Sequence, residues 1–161
     1  MVKKCFITLF FISLLGSCKN EEITFVQSYT YNELKTLLEK NDGKTYVINF
    51  WATWCAPCVK ELPAFEKINK EYATKNVTVI LVSLDFPKQV AKRLIPFINK
   101  KKLQSKVVLL NDINEDFWIK AIDSTWSGAI PATIIYNGKD RKFYEQSFDY
   151  DQLETELQPF L

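Results

Sequence analysis

Residues 50–58 read Phe-Trp-Ala-Thr-Trp-Cys-Ala-Pro-Cys, and the fold of the chain is predicted outward from them. They overlap residues 45–51, a nearly continuous run of β-forming residues that predicts a strand buried on both faces. Residues 55–73 follow, with apolar side chains at helical spacing. The pattern therefore places two cysteines at the start of a helix, directly after a buried strand.

The position of Cys55 suits a reactive thiol. The first amides of a helix lack intrahelical acceptors, and with the helix dipole they stabilise a thiolate and lower its pKa. Cys58 lies about one turn further on, so it can reach Cys55 and resolve a mixed disulfide with a substrate. Pro57 suits an early helical position, and Trp54 supplies an apolar surface beside the nucleophile. A structural disulfide or a pair of inert thiols is the alternative, but a disulfide that closes so short a loop would stabilise the fold only weakly.

The composition narrows the possible chemistry. The chain has 161 residues, enough for one domain, and it contains no histidine. Nucleophile pairs that use histidine and zinc sites that need imidazole are excluded, and we expect no metal and no cofactor. Lys plus Arg number 21 and Asp plus Glu 19. Such a balanced charge gives no electrostatic indication of nucleic-acid binding.

The N-terminus has the form of a secretory signal. Residues 1–17 combine two lysines with an apolar core of about eleven residues, which is too short to span a bilayer. Residues 15–18 read Leu-Gly-Ser-Cys and resemble the bacterial lipobox. The resemblance implies cleavage before Cys18 and acylation of its sulfur; an ordinary signal with an incidental cysteine is the alternative. We expect a signal peptide over 1–17, a lipidated tether over 18–27 and one domain over 28–161.

The remaining sequence alternates between helical and strand patterns. Further helices are predicted over 31–40 and 87–102, and a last one starts at Asp149 or Asp151 and ends near Phe160; further strands are predicted over 77–84, 106–110, 132–136 and 142–146. Pro63 should kink the site helix near Val59, and Pro96 should interrupt the following helix. Asn137-Gly138 predicts a hairpin turn, whereas residues 112–126 are assigned only partial helix. This order predicts an α/β sandwich around a mixed sheet.

Two separated motifs resemble the active site of the thioredoxin superfamily. Residues 50–58 resemble its Cys-x-x-Cys segment, and residues 128–133, Gly-Ala-Ile-Pro-Ala-Thr, resemble its cis-proline loop. Residues 60–63, Lys-Glu-Leu-Pro, are similar to the TlpA/ResA-like branch of membrane-tethered envelope oxidoreductases. The resemblance implies a three-layer thioredoxin-like sandwich, with a mixed β-sheet flanked by helices on both faces. It also implies a cis Pro131 beside the cysteines and an Ile130 whose backbone pairs with substrate; a trans proline at a strand start is the alternative.

Glu61 is the candidate proton carrier. It follows Cys58 by three residues on the same helix face, where a partly buried carboxylate with a raised pKa could take a proton from a thiol. The resemblance implies that role, and a solvated surface charge is the alternative. Thioredoxin places a buried aspartate six residues before its first cysteine, and Asn49 occupies that position here. Because an amide cannot exchange protons near neutral pH, Glu61 is the remaining candidate.

The predicted function is thiol–disulfide exchange in the bacterial cell envelope, by a lipid-anchored protein facing the periplasm. The resemblance implies that it reduces disulfides of exported proteins and is recharged by a membrane electron-donor protein. A disulfide oxidase or isomerase would use the same residues. A catalytically idle binding module is a further alternative, and the intact motifs count against it. A copper chaperone would need a histidine, and a peroxidase would need a peroxide-binding constellation that the sequence does not display.

Overall fold

A six-stranded mixed sheet forms the centre of the protein, in the order β1-β4-β3-β2-β5-β6. The computed structural model describes residues 22–161, so the predicted signal peptide and Cys18 lie outside the described residues. The strands are β1 (Gln27–Tyr29), β2 (Thr45–Trp51), β3 (Val77–Ser83), β4 (Lys106–Leu110), β5 (Ala132–Asn137) and β6 (Asp140–Tyr144). The first four run parallel, and β5 and β6 are antiparallel to their neighbours. The mixed sheet predicted from the sequence is therefore confirmed.

Helices cover both faces of this sheet. They are α1 (Tyr31–Leu38), α2 (Ala56–Tyr72), α3 (Ile95–Lys101), α4 (Glu115–Ile122) and α5 (Tyr150–Leu157). One core cluster joins α2, α3 and α5 to one face, and a second joins α1 and α4 to the other. Side chains of β2 alternate between these cores: Val47 lies in the first, and Ile48 and Phe50 lie in the second. By this alternation Asn49 points toward α2, the helix that carries the cysteines.

The prolines have different effects in the two central helices. Helix α2 continues through Pro63 to Tyr72, held by side chains packed in the core such as Phe65 and Ile68. Pro96 lies in the first turn of α3, and the preceding residues Val90–Leu94 form a wider π-helical turn. The predicted interruption near Pro96 is thus confirmed, because the missing proline N–H is accommodated by a change of helix type.

Two smaller predictions are also confirmed, and one strand was missed. Asp149, one of the two candidate caps, accepts a hydrogen bond from the Gln152 N–H at the start of α5. Strands β5 and β6 pair down to Asn137 and Asp140, and Gly138 has a φ of 60° in the turn. Strand β1 spans only three residues, too few for a pattern of alternation to show.

The described chain enters the fold before residue 28. Val26 is buried in the core, and the backbone N–H and C=O of Ile23 each hydrogen-bond the Asn99 side chain at 2.8 Å. Contacts with the domain therefore begin inside the segment expected to be a tether. Within residues 22–161, no helix combines the length and the apolar character needed to cross a bilayer.

Parallel pairing determines which edge of the sheet carries the site. Strands β1 to β4 point their carboxyl ends to one edge, and the chain leaves β2 there to reach Cys55. Strand β1 is parallel to β4, so the segment before Gln27 lies at the opposite edge, where the parallel strands begin. The cysteines and the N-terminal entry are therefore separated by the length of the sheet.

Candidate active site

Cys55 and Cys58 form a disulfide at the start of α2. Cys55 is the N-cap residue of the helix, and its Sγ accepts a hydrogen bond from the Cys58 N–H at 3.3 Å. Cys55 keeps 6% of its surface exposed, whereas Cys58 is fully buried. An approaching sulfur therefore meets Cys55 first. This geometry fits the roles predicted for the two residues, with Cys55 attacking and Cys58 resolving.

The loop before β5 borders the reactive sulfur. The Ile130–Pro131 peptide bond is cis, which confirms that prediction. The carbonyl oxygen of Ile130 lies 3.7 Å from the Cys55 Sγ, and Pro131 is buried. The backbone of Ile130 therefore borders the reactive sulfur, and its pairing with a substrate remains a prediction.

Two residues that sequence reasoning missed hold this loop in place. The indole Nε1–H of Trp126 donates to the Ala129 carbonyl at 2.8 Å, and the Trp126 ring is fully buried. The Glu145 carboxylate accepts the N–H groups of Ser127 at 3.1 Å and Ala129 at 3.2 Å. The sequence signal for Trp126 was the aromatic character of residues 112–126, but the pattern did not show where this segment packs in the fold.

Glu61 is more deeply buried than the sequence suggested. Only 4% of its surface is exposed. Its Oε1 accepts a hydrogen bond from the Asn49 Nδ2–H at 2.8 Å, and its Oε2 accepts one from the Phe148 N–H at 2.9 Å. Burial disfavours the charged form more than these two bonds favour it, and it raises the pKa of Glu61 to about 7. The predicted upward shift is confirmed, and at neutral pH Glu61 can either accept or release a proton.

Asn49 ties three elements together behind the cysteines. Besides the bond to Glu61, its Nδ2 lies 3.2 Å from the Thr133 Oγ1, so β2, α2 and β5 meet at this amide. Its Oδ1 is buried and has no hydrogen-bond partner among the described residues. A protonated Glu61 needs an acceptor, and turning the amide of Asn49 would present Oδ1 to it.

Asp85 is a third residue missed from the sequence. It is buried, and its carboxylate accepts the backbone N–H of Thr53 at 3.0 Å, the Thr53 hydroxyl at 2.5 Å and the Ser83 hydroxyl at 2.9 Å. These bonds fix the turn between β2 and α2, which carries Trp54 and Cys55. The signal was an aspartate just after a buried parallel strand, at the edge where Cys55 lies.

The two predicted substrate-contacting residues of the motif face solvent. Trp54 is 52% exposed, and Pro57 is exposed in the first turn of α2. Both are therefore open to a docking chain beside Cys55, and their part in binding remains a prediction.

The model of the AhpC/TSA family matches residues 24–141, which include the cysteines, Glu61 and the cis-proline loop. This chain belongs to the AhpC/TSA family. It is similar to the thioredoxin-like protein YneN of Bacillus subtilis, 31% identical over 121 residues, or 73% of this chain and 71% of YneN. It is also 31% identical over 129 residues to the thiol-disulfide oxidoreductase ResA of Bacillus anthracis, covering 80% of this chain and 66% of ResA.

Solved structures show the same fold. StoA from Bacillus subtilis is 27% identical with a TM-score of 0.55, over 71% of this chain and 83% of StoA. A thiol:disulfide interchange protein from Chlorobium tepidum, 18% identical, shares the fold with a TM-score of 0.62 over 78% of this chain and 83% of that one. The family, its named members and the Cys55–Cys58 disulfide confirm a thioredoxin-like thiol–disulfide oxidoreductase.

Proposed function

We propose that this chain reduces disulfides of exported proteins in the bacterial cell envelope. The observation that carries the proposal is the arrangement along one helix: Cys55 at the exposed end, Cys58 buried behind it, and a buried Glu61 one turn further on. A nucleophile, a resolving thiol and a proton acceptor with a pKa of about 7 thus lie in the order that the reaction needs.

The reaction begins from the dithiol form. The Cys55 thiolate attacks one sulfur of a substrate disulfide, a Cys55–substrate bond forms, and the other substrate sulfur leaves as a thiolate. Cys58 then passes its proton to Glu61, and its thiolate attacks the Cys55 sulfur. The Cys55–Cys58 disulfide forms, and the second substrate sulfur leaves. Two electrons have moved to the substrate, and a membrane electron-donor protein restores the dithiol.

The charges around the cysteines favour the reducing direction. Glu61 and Asp85 are buried carboxylates near the pair: Glu61 lies three residues after Cys58 in α2, and Asp85 bonds to Thr53, two residues before Cys55. Negative charge near the pair counteracts the stabilisation that the start of α2 gives to the Cys55 thiolate. A dithiol whose thiolate is weakly stabilised gives up its electrons more readily. Equilibration with a thiol buffer of known potential tests this direction.

The place where the N-terminal segment joins the domain supports an enzyme anchored to the membrane. Ile23 is held at the edge of the sheet opposite the cysteines, and Cys18 precedes it by five residues. At no more than about 3.5 Å per residue, the tether spans at most about 18 Å. Acyl chains on Cys18 would therefore hold the domain close to the membrane, with Cys55 turned away from the bilayer and open to exported proteins.

Cys18→Ala is expected to release the protein from the membrane. Without the sulfur no acyl chain can be attached, and the anchor is lost because its buried methylenes supply the binding. Cell fractionation and mass spectrometry of the membrane-extracted protein measure the outcome. Cys5→Ala is the matched control, since Cys5 lies in the predicted signal and should leave fractionation unchanged. A Cys18→Ala protein that stays on the membrane, or an unmodified Cys18 in the wild type, would rule out the anchor.

A further inference from the structure

The large exposed apolar side chains of the described residues are not spread evenly. Three belong to the ends of the described chain: Ile23, Phe25 and Leu161. The other four follow the carboxyl ends of parallel strands: Trp54 follows β2, Phe86 follows β3, and Ile113 and Phe117 follow β4. We refer to Trp54, Phe86, Ile113 and Phe117 as the apolar edge. It lies at the same edge of the sheet as Cys55.

The Thr53–Asp85 hydrogen bonds and the strand register place these residues in a row. Trp54 and Phe86 each come one residue after the bonded pair Thr53 and Asp85, whose hydrogen bonds are 3.0 and 2.5 Å long. Ser83 of β3 pairs with Leu109 of β4. Phe86 lies three residues after Ser83, and Ile113 lies four residues after Leu109. The order along the edge is therefore Trp54, then Phe86, then Ile113 and Phe117.

The side chains of the apolar edge do not belong to either core of the domain. Phe86 is 63% exposed, Ile113 is 99% exposed and Phe117 is 54% exposed, whereas the two cores are filled by other side chains. Of these four side chains, only Phe117 has an aromatic neighbour within residues 22–161, the Tyr31 ring at 5.6 Å. Large exposed apolar side chains gathered at the same end of the sheet as a reactive group are a usual sign of a binding site.

We propose that the apolar edge binds an extended apolar segment of the substrate polypeptide, next to the cysteine that bonds to Cys55. The inference rests on the proposed function, because the occupant must arrive with a disulfide. The edge starts at Trp54, beside the nucleophile, and runs toward β4. The cis-proline loop lies on the other side, before β5. The edge therefore adds a contact surface separate from that loop.

The dimensions fit a short peptide. Neighbouring strands lie about 4.8 Å apart, so β2 and β4 are separated by about 10 Å, or about three residues of extended chain. A segment of four or five residues on one side of the reacting cysteine would reach from Trp54 to Ile113. Polypeptides that have not completed folding expose such apolar segments. A membrane is a poorer match, since the chain enters the domain from the opposite edge.

Two peptides test the inference. Each carries one cysteine as a mixed disulfide with thionitrobenzoate; one has five apolar residues on each side of it and the other has five serines. The full-length protein, reduced and freed of reductant, attacks the peptide sulfur. A Cys55–peptide disulfide forms, and thionitrobenzoate leaves as a coloured thiolate. Cys58 then displaces the peptide thiolate and forms the Cys55–Cys58 disulfide.

We expect wild-type protein to prefer the apolar peptide by about tenfold or more in rate at low concentration, since a few buried side chains dominate such contacts. The double variant Phe86→Ser/Ile113→Ser should lower that preference about tenfold. Its half-saturating concentration for the apolar peptide should rise, and its limiting rate should not change. Phe25→Ser/Leu161→Ser is the matched control: it makes similar changes at the chain ends and should retain the preference. Circular dichroism checks that each variant folds.

Other outcomes would overturn the inference and leave the proposed function intact. These are equal wild-type rates on both peptides, or an equal loss of preference in the control variant. A third is a wild-type dimer, seen by sedimentation, that Phe86→Ser/Ile113→Ser dissociates without changing peptide rates; the occupant would then be a second copy of the chain. If wild-type protein releases thionitrobenzoate from neither peptide, the proposed function itself fails.

Discussion

Cys58→Ser is expected to trap substrate proteins on Cys55, whereas Cys55→Ser is expected to abolish exchange. Without Cys58 the mixed disulfide forms but has no internal thiol to resolve it, so it accumulates. Without Cys55 the remaining sulfur is fully buried and cannot meet a substrate, and the rate should fall to less than about a thousandth of the wild-type value. Non-reducing gels of alkylated cell extracts should show mixed disulfides only in the Cys58→Ser strain.

A reductant provides the control for this trapping experiment. The high-molecular-weight bands should disappear when dithiothreitol is added, and they should be absent from the Cys55→Ser/Cys58→Ser double variant. Accumulation in the Cys55→Ser strain instead would assign the attacking role to Cys58. Such a result would contradict the difference in exposure between the two sulfurs.

Glu61→Gln is expected to slow thiol exchange by about a hundredfold, the contribution typical of a positioned general base. Gln keeps the size of the side chain and one acceptor oxygen, but it cannot take the proton from Cys58. The wild-type rate should rise with pH through about 7, as Glu61 becomes ionised, and the variant should lack that ionisation. Rates measured from pH 5 to 9, with and without the substitution, provide the comparison. An unchanged rate and profile would make Glu61 a structural residue only.

Folding stability gives an independent readout of the same carboxyl group. Its pKa is raised from an ordinary value of 4.5 to about 7, so the folded state binds a proton more tightly than the unfolded state. The stability from this group is present below about pH 4.5 and is lost as the pH rises through 7. The wild type should lose up to about 3 kcal/mol relative to Glu61→Gln between pH 4.5 and 8, measured by urea unfolding. A constant difference would mean that burial does not shift the pKa.

The central half of the fold was predictable because its signals are local. The β2 strand is a continuous run of β-forming residues, and the cysteines follow it in a helical pattern. The asparagine–glycine turn fixed the last hairpin. The placement of Glu61 on the helix face of Cys58 also followed from its spacing. At these positions the backbone preference, the apolar pattern and the final packing all agree.

The supports of the site were not predictable in the same way. Asp85 acts on Thr53 across 32 residues of sequence, and Glu145 acts on the 127–129 loop from a position just after β6. These contacts depend on strand order, which a single sequence does not specify. The apolar edge likewise appears only once β2, β3 and β4 are known to end together.

The reduction potential of the Cys55–Cys58 couple tests the central claim most directly. Full-length protein is equilibrated with thiol buffers of known potential, and the fraction of dithiol is measured after acid quenching and alkylation. A reductant should show a two-electron couple near that of thioredoxin, about −270 mV. A value near the roughly −120 mV of a strong disulfide oxidase would contradict the proposed direction. The absence of any two-electron transition would contradict a redox function of the pair.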